Sequence, residues 1–472
     1  MQWPSSKKYV LPLVALGVLS VIAIAVARRI YSPVLSTLPE LDASVRGQLP
    51  NIILISIDTL RKSELGFYDP SLPTTPYLDT RRGEFIRFEQ AISQAPWTKP
   101  AHLALFYSKR PPVHFWERDV VSITSVLRHY GYDTAAFTDG AWLGKGAGID
   151  AGFNQFDRPD DPPFGFTFPL EGRVEQIGHW LDDGPSEPFF LFIHTYHTHA
   201  PYDPQPTHLE SVYEKEYMGQ FTGEAAQLLK SNQLKLSGIS PNVRPEDIEY
   251  LRALYRAEIR EVDEFLDRLF VELERRSLWD EVLVIITSDH GESFFEREFF
   301  EHGTGLYDEL INVPLLIKTP ASLATKAQVV DRQVELLDLG PTILDLIGID
   351  PPETFQGRSF ASLFSVGSSN AYSKRYALSS VASSKNYGDA KQSVRTEDWK
   401  YILHPSSGRE ELYHLATDPE EYHNLARVKP EIAASLRAVL RGTTETEDLE
   451  LTAEENLSDK DLELLKALGY ID

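Results

Sequence analysis

The chain has 472 residues, 42% of them hydrophobic, and a formal charge of −24, so it can hold one large core with a smaller appendage. That charge excludes nucleic acid as a partner recognised by phosphate neutralisation. No cysteine is present, which excludes disulfides and thiol catalysis.

Lys7-Lys8 precede an uncharged stretch from Tyr9 to Ala27, and Arg28-Arg29 follow it. The stretch is near the minimum for a spanning helix and longer than a usual signal-peptide core. It is apolar on every face, which fits lipid better than a buried core helix. The expectation is a single-pass membrane anchor over residues 1–30, with the bulk of the chain outside the cytoplasmic membrane. Ala25-Val26-Ala27 leaves cleavage as the alternative. Residues 31–49 read as a linker, with Pro33 and Pro39 breaking any helix.

A catalytic domain over residues 50–365 opens with the apolar run Asn51 to Ile57, which suits a parallel strand buried on both faces. Further strands are expected at Asp133 to Thr138, Phe189 to His194 and Val282 to Ser288. Pro245 to Arg276 repeats apolar residues at helical spacing after an acidic first turn. Leu336 to Ile349 reads as another helix. Strands alternating with helices predict an α/β doubly wound sheet. Residues 366–472 differ: short β-like pieces at Tyr376 to Val381 and Trp399 to Leu403 predict a small antiparallel C-terminal subdomain, followed by a charged helical tail.

Open α/β sheets place ligands at the carboxyl ends of their strands. Asp58 follows the first apolar run and Asp289-His290 follow the Val282 run. Two carboxylates and a neutral imidazole are a plausible ligand set for one catalytic divalent metal ion. Such an ion would also offset the repulsion of an anionic substrate by an acidic shell. Thr98 precedes Pro100 at a helix start, where spacing alone favours an N-cap over a nucleophile. As a nucleophile it would gain from the helix dipole and from a metal contact. His199, in a His-rich segment after a strand, and His302, in Glu301-His302-Gly303, are candidate acids or substrate contacts. His194 lies within the strand, where packing is its default role. Lys99, His102 and Arg61 are the candidate substrate-binding cations.

At these residues the sequence resembles the sulfatase branch of the alkaline phosphatase superfamily. The matching stretches include Ile57-Asp58-Thr59-Leu60-Arg61, Pro96-Trp97-Thr98-Lys99-Pro100-Ala101-His102, His199-Ala200-Pro201-Tyr202, Ser288-Asp289-His290-Gly291-Glu292 and Glu301-His302-Gly303. The resemblance implies an alkaline-phosphatase-like fold. It also implies metal ligation by Asp58, Asp289 and His290, a nucleophile at position 98, and substrate contacts by His199 and His302. Sulfatases carry Cys or Ser at the nucleophile position and convert it to formylglycine. Thr98 carries a methyl on Cβ and cannot follow that route. The usual arginine of that motif is His102, and the second aspartate of the first metal motif is Thr59.

The set Asp58, Thr98, Asp289 and His290 is similar to that of lipoteichoic acid synthases and phosphoethanolamine transferases. One imidazole, two carboxylates and a hydroxyl suit zinc or manganese better than calcium or magnesium. The expected activity is a hydrolase or transferase acting on a phosphate-type ester of a small molecule, lipid headgroup or glycan. Sulfuric ester hydrolysis and a catalytically inactive binding protein are the alternatives.

Overall fold

The computed structural model describes residues 33–41, 48–114, 117, 119–140, 142–158, 169–323, 325, 328–365, 372, 376–383 and 388–443. The expected anchor, the end of the chain beyond residue 443 and several short internal segments lie outside the described residues. Among the described residues no helix is long and apolar enough to cross a membrane.

The central sheet has eight strands: β1 (Asn51–Ile57), β2 (Ile86–Ile92), β3 (Asp133–Phe137), β4 (Gln155–Asp157), β5 (Phe189–Thr195), β6 (Val282–Thr287), and, after the hairpin β7 (Ser293–Phe294) and β8 (Phe300–Glu301), β9 (Asn312–Lys318) and β10 (Val329–Glu335). Their order is β10-β2-β9-β6-β1-β5-β3-β4. Every residue of β1, β5 and β6 is buried. Alternate side chains serve opposite faces, as a two-residue period requires. Ile52, Leu54, Phe190 and Phe192 join one apolar cluster with the helix Thr98–Tyr107. Ile53, Ile55, Leu191 and Ile193 join the other with the long helix Pro245–Arg275.

The sheet is mixed rather than wholly parallel. β1 runs parallel to β5 and β6, but β9 runs antiparallel to both β6 and β2. The cause is local. After β6 the chain does not cross back over a helix. It stays at the carboxyl end of the sheet for residues 288–311, forming the β7–β8 hairpin and a short helix Asp308–Ile311, and must re-enter in the opposite direction. The expected helix from Leu336 is real but shorter: a 3₁₀ turn Leu336–Asp338 leads into Leu339–Leu346.

The C-terminal sheet is antiparallel throughout, in the order β11 (Ala377–Val381), β12 (Lys391–Arg395), β13 (Trp399–His404), β14 (Arg409–His414). Its other face carries the helix Pro430–Thr443, through Ala433, Leu436 and Leu440. It is fastened to the catalytic domain by buried charge. Lys400 lies 2.5 Å from Asp308 and 3.0 Å from Glu421, and Arg395 lies 2.8 Å from the same Asp308. Removing one partner of a buried pair strands the others in low dielectric. Lys400→Met is therefore expected to lose about 3–5 kcal/mol of folding stability by denaturant titration. A loss under about 1 kcal/mol, the range of surface pairs, would show that this junction is solvated.

Candidate active site and metal centre

β1 and β6 are adjacent, parallel, and aligned so that Ser56 pairs with Thr287. The residues two positions beyond that pair, Asp58 and Asp289, therefore emerge side by side at the carboxyl end. His290 comes with the second. One donor atom from each of Asp58, Asp289 and His290 lies within 4.8 Å of the other two, and all three residues are buried. His290 Nε2 is 3.6 Å from Asp58 Oδ1 and 3.4 Å from Asp289 Oδ2. Neither of those oxygens has a hydrogen-bond partner.

The histidine tautomer follows from its other nitrogen. His290 Nδ1 lies 2.9 Å from the carbonyl of Gly291, so Nδ1 carries the proton and Nε2 presents a lone pair. That lone pair faces two carboxylate oxygens. Without a cation between them the arrangement is repulsive, and with one it is a ligand set. The residues thus fit a divalent metal ion, held by Asp58, Asp289 and His290 with Thr98 beside them.

Thr98 is the first residue of its helix rather than its cap, which is Trp97. Its hydroxyl is 3.2 Å from Asp58 Oδ2 and 3.4 Å from His290 Nε2. It does not tie off a backbone amide, the role that spacing alone favoured. Behind it His102 spans one helical turn. Its Nδ1–H donates to the Thr98 carbonyl at 2.9 Å, and Ser56 Oγ donates to its Nε2 at 3.0 Å. With both nitrogens occupied and no exposure, His102 props the helix Thr98–Tyr107 against β1 and is not placed to bind a substrate.

The other basic residues also have partners. Arg61 is buried, 2.6 Å from Glu296, with its guanidinium over the Phe294 ring. Lys99 is half-buried with its ammonium 5.6 Å from the centre of the Trp142 ring. Thr59, which stands where the motif has a second aspartate, adopts φ 56° and donates its hydroxyl to the Thr198 carbonyl at 2.7 Å. It is turned away from the metal set.

His199 and His302 lie in a row beside His290. His199 Nδ1 is 2.6 Å from the Ala200 carbonyl and its ring stacks on Tyr196. Ring centres run from His199 to His302 at 5.0 Å and from His302 to His290 at 4.3 Å. His302 Nδ1 lies 3.1 Å from Glu292 Oε1, and Tyr202 donates to Glu292 Oε2 at 2.9 Å. Glu292 thereby orients the imidazole. Its place in the Asp289-His290 motif was visible in the sequence, but its partner is fixed only by the β7–β8 hairpin. Asp203 and His208, five residues apart, are drawn to different carboxylates of the long helix: the Asp203 amide to Glu258, and His208 to Glu261 and Glu264.

Burial dominates the electrostatics in the absence of a cation. It pushes the carboxyls of Asp58 and Asp289 up to about 7, and that of Glu292 up to about 8. It lowers His290 and His302 to about 3, so both imidazoles are neutral at working pH. A carboxyl whose folded pKa is raised contributes fully to stability below its unfolded value of 3.8 and loses that contribution as pH rises through about 7. Asp58→Asn removes the penalty. Metal-free Asp58→Asn should therefore be more stable than the metal-free parent at pH 8, by on the order of several kcal/mol, with the gap closing towards pH 4. Thermal midpoints across that range check this, and a gap independent of pH would contradict it.

A family model described as Sulfatase matches residues 50–349. A second, described as N-sulphoglucosamine sulphohydrolase, C-terminal, matches residues 295–446. Mouse arylsulfatase K is 35% identical over 202 residues, which are 41% of this chain and 36% of that protein. The chain thus matches about a third of that relative's length. An arylsulfatase of Clostridium perfringens is 23% identical over 440 residues, covering 80% of this chain and 90% of that protein. The fold is similar to that of a phosphonate monoester hydrolase of Agrobacterium radiobacter, with a TM-score of 0.66, 19% identity, and coverage of 83% of this chain and 95% of that one. The family model spans well over half of the sequence and takes in every residue of the metal set, so the chain belongs to the sulfatase family.

Proposed function

We infer that the protein is a metal-dependent ester hydrolase or transferase that uses the unmodified Thr98 hydroxyl as its nucleophile on a phosphate-type ester. The observation that carries this is the placing of Thr98 Oγ1, 3.2 Å from Asp58 Oδ2 and 3.4 Å from His290 Nε2, at the first residue of a helix. In residue types, the set Asp58, Thr98, Asp289 and His290 resembles that of lipoteichoic acid synthases and phosphoethanolamine transferases. A bound zinc or manganese ion would supply positive charge for the nucleophile and for the ester oxygens.

The chain's own groups and solvent account for the proton and bond changes. Asp58 Oδ2 accepts the Thr98 proton. Thr98 Oγ forms a bond to phosphorus as the bond to the leaving oxygen breaks, giving a threonine phosphoester. The free amides of the first helical turn face the developing anion. The neutral imidazoles of His302, oriented by Glu292, and of His199 beside it hydrogen-bond the leaving oxygen, which takes its proton from solvent. Water or an acceptor alcohol then attacks phosphorus and gives its proton to solvent, while the bond from phosphorus to Thr98 Oγ breaks and that oxygen takes back the proton held by Asp58 Oδ2.

The arylsulfatases among the relatives favour sulfate esters as a second reading, with the same hydroxyl attacking sulfur. The phosphate-type reading is favoured by the absence of a convertible Cys or Ser at position 98. We also assign residues 1–30 to a membrane anchor that holds the catalytic domain outside the cytoplasmic membrane. The basis is the uncharged stretch between two basic pairs.

With manganese or zinc supplied, the purified protein is expected to cleave p-nitrophenyl phosphodiesters or phosphonate monoesters faster than p-nitrophenyl sulfate. Thr98→Ala should reduce the rate by about 10³-fold or more, the scale of losing a nucleophile. Equal rates in Thr98→Ala would end the nucleophile assignment, and a preference for the sulfate would install the second reading.

A further inference from the structure

We propose that His194 is a positioning residue of the metal centre, holding the Asp58 carboxylate so that one oxygen faces the cation and the other faces Thr98. The inference rests on the metal-centre reading above and deepens it.

His194 occupies a position that ought to be apolar. It follows Phe190 and Phe192 on the same face of β5, within the cluster that packs beneath the helix Thr98–Tyr107. It is wholly buried. Neither of its ring nitrogens makes a hydrogen bond. A leucine or phenylalanine would fill this space without burying two polar atoms, so packing does not explain the residue.

What the imidazole touches does explain it. β5 and β1 are parallel with His194 paired to Ser56, so His194 lies beside the end of β1. Its Nε2 is 3.3 Å from Asp58 Oδ2. The same oxygen takes the Thr98 hydroxyl, while Asp58 Oδ1 has no hydrogen-bond partner and is turned towards His290. The carboxylate is thus divided: Oδ2 to the protein's donors, Oδ1 to the cation.

Asp289 is held differently. Its Oδ1 accepts the backbone amide of His290 at 3.0 Å, a contact that survives any change in the substrate. Asp58 Oδ2 has the Thr98 hydroxyl, a contact that is given up once Thr98 Oγ is bonded to phosphorus. His194 Nε2, 3.3 Å from Asp58 Oδ2, is then the neighbouring polar atom that remains to fix the carboxylate's rotation, as a dipolar contact rather than a well-aligned hydrogen bond. The ring is itself fixed, edge-on to His102 with centres 4.8 Å apart and parallel to Phe192 within 19°. An imidazole aimed at the outer oxygen of a metal carboxylate is the kind of supporting contact that tunes a metal site.

The test is the zinc or manganese affinity of the purified full-length protein, measured by competition with a chromophoric chelator, together with the thermal midpoint of each metal-free form. His194→Leu should bind the cation about 10–100-fold more weakly, with a metal-free midpoint no lower than the parent's. His194→Gln places an amide nitrogen near the Nε2 position and should recover most of the affinity. His194→Asn reaches only the Nδ1 position and should not. If His194→Leu does not fold, the Gln and Asn pair decides. Parental affinity in all the folded variants, or equal loss in Gln and Asn, overturns the role of His194 while leaving the metal centre standing. A parent protein that binds no divalent ion overturns both.

Discussion

Three electron-rich groups meet at one dry point: the carboxylates of Asp58 and Asp289 and the lone pair of His290 Nε2. Among the described residues no lysine or arginine forms an ion pair with either carboxylate, and Arg61 is committed to Glu296. Such a cluster is tolerated when a cation sits within it, or when the acids take up protons, as their raised pKa values show in the metal-free state. The nucleophilic role proposed for Thr98 depends on this meeting point. A threonine hydroxyl in water is a poor nucleophile, and the same hydroxyl between a general base and a metal ion is a good one.

The fold exists around that point in a literal sense. β1 and β6 are aligned neighbours, so two short sequence motifs separated by most of the domain arrive together. The mixed direction of the sheet has the same origin. The chain after β6 remains at the catalytic end to deliver Glu292, His302 and Asp308, and β9 must return antiparallel. Asp308 then carries the strain of charge outward, binding Arg395 and Lys400 of the C-terminal sheet. The small sheet is therefore coupled to the segment that holds His302, through buried ion pairs and through Lys391, which donates to the Thr304 carbonyl.

The legible part of the sequence was its middle strands and the acids that end them. Asn51 to Ile57 and Val282 to Thr287 are unbroken apolar runs because both faces are covered, and polar residues at their ends stand out. The long helix was legible for the analogous reason of sustained period. β2, β9 and β10 were not. Ile86-Arg87-Phe88-Glu89-Gln90-Ala91-Ile92 is only partly buried, and β9 contains Pro314, which argues against an interior strand. The proline is accommodated where the β2–β9 register shifts, with its carbonyl accepting from Thr287. Sequence spacing also favoured Thr98 as a cap, because the competing partner, Asp58, is forty residues away and comes near only in three dimensions. His194 looked like packing for the same reason.

The account stands on a cation at this point. The most direct measurement is anomalous diffraction at the zinc or manganese edge from crystals grown with that metal. One ion bound by Asp58, Asp289, His290 and Thr98 Oγ1 is the predicted result. A site free of metal in those crystals, with Thr98 hydrogen-bonded to the backbone, would contradict it.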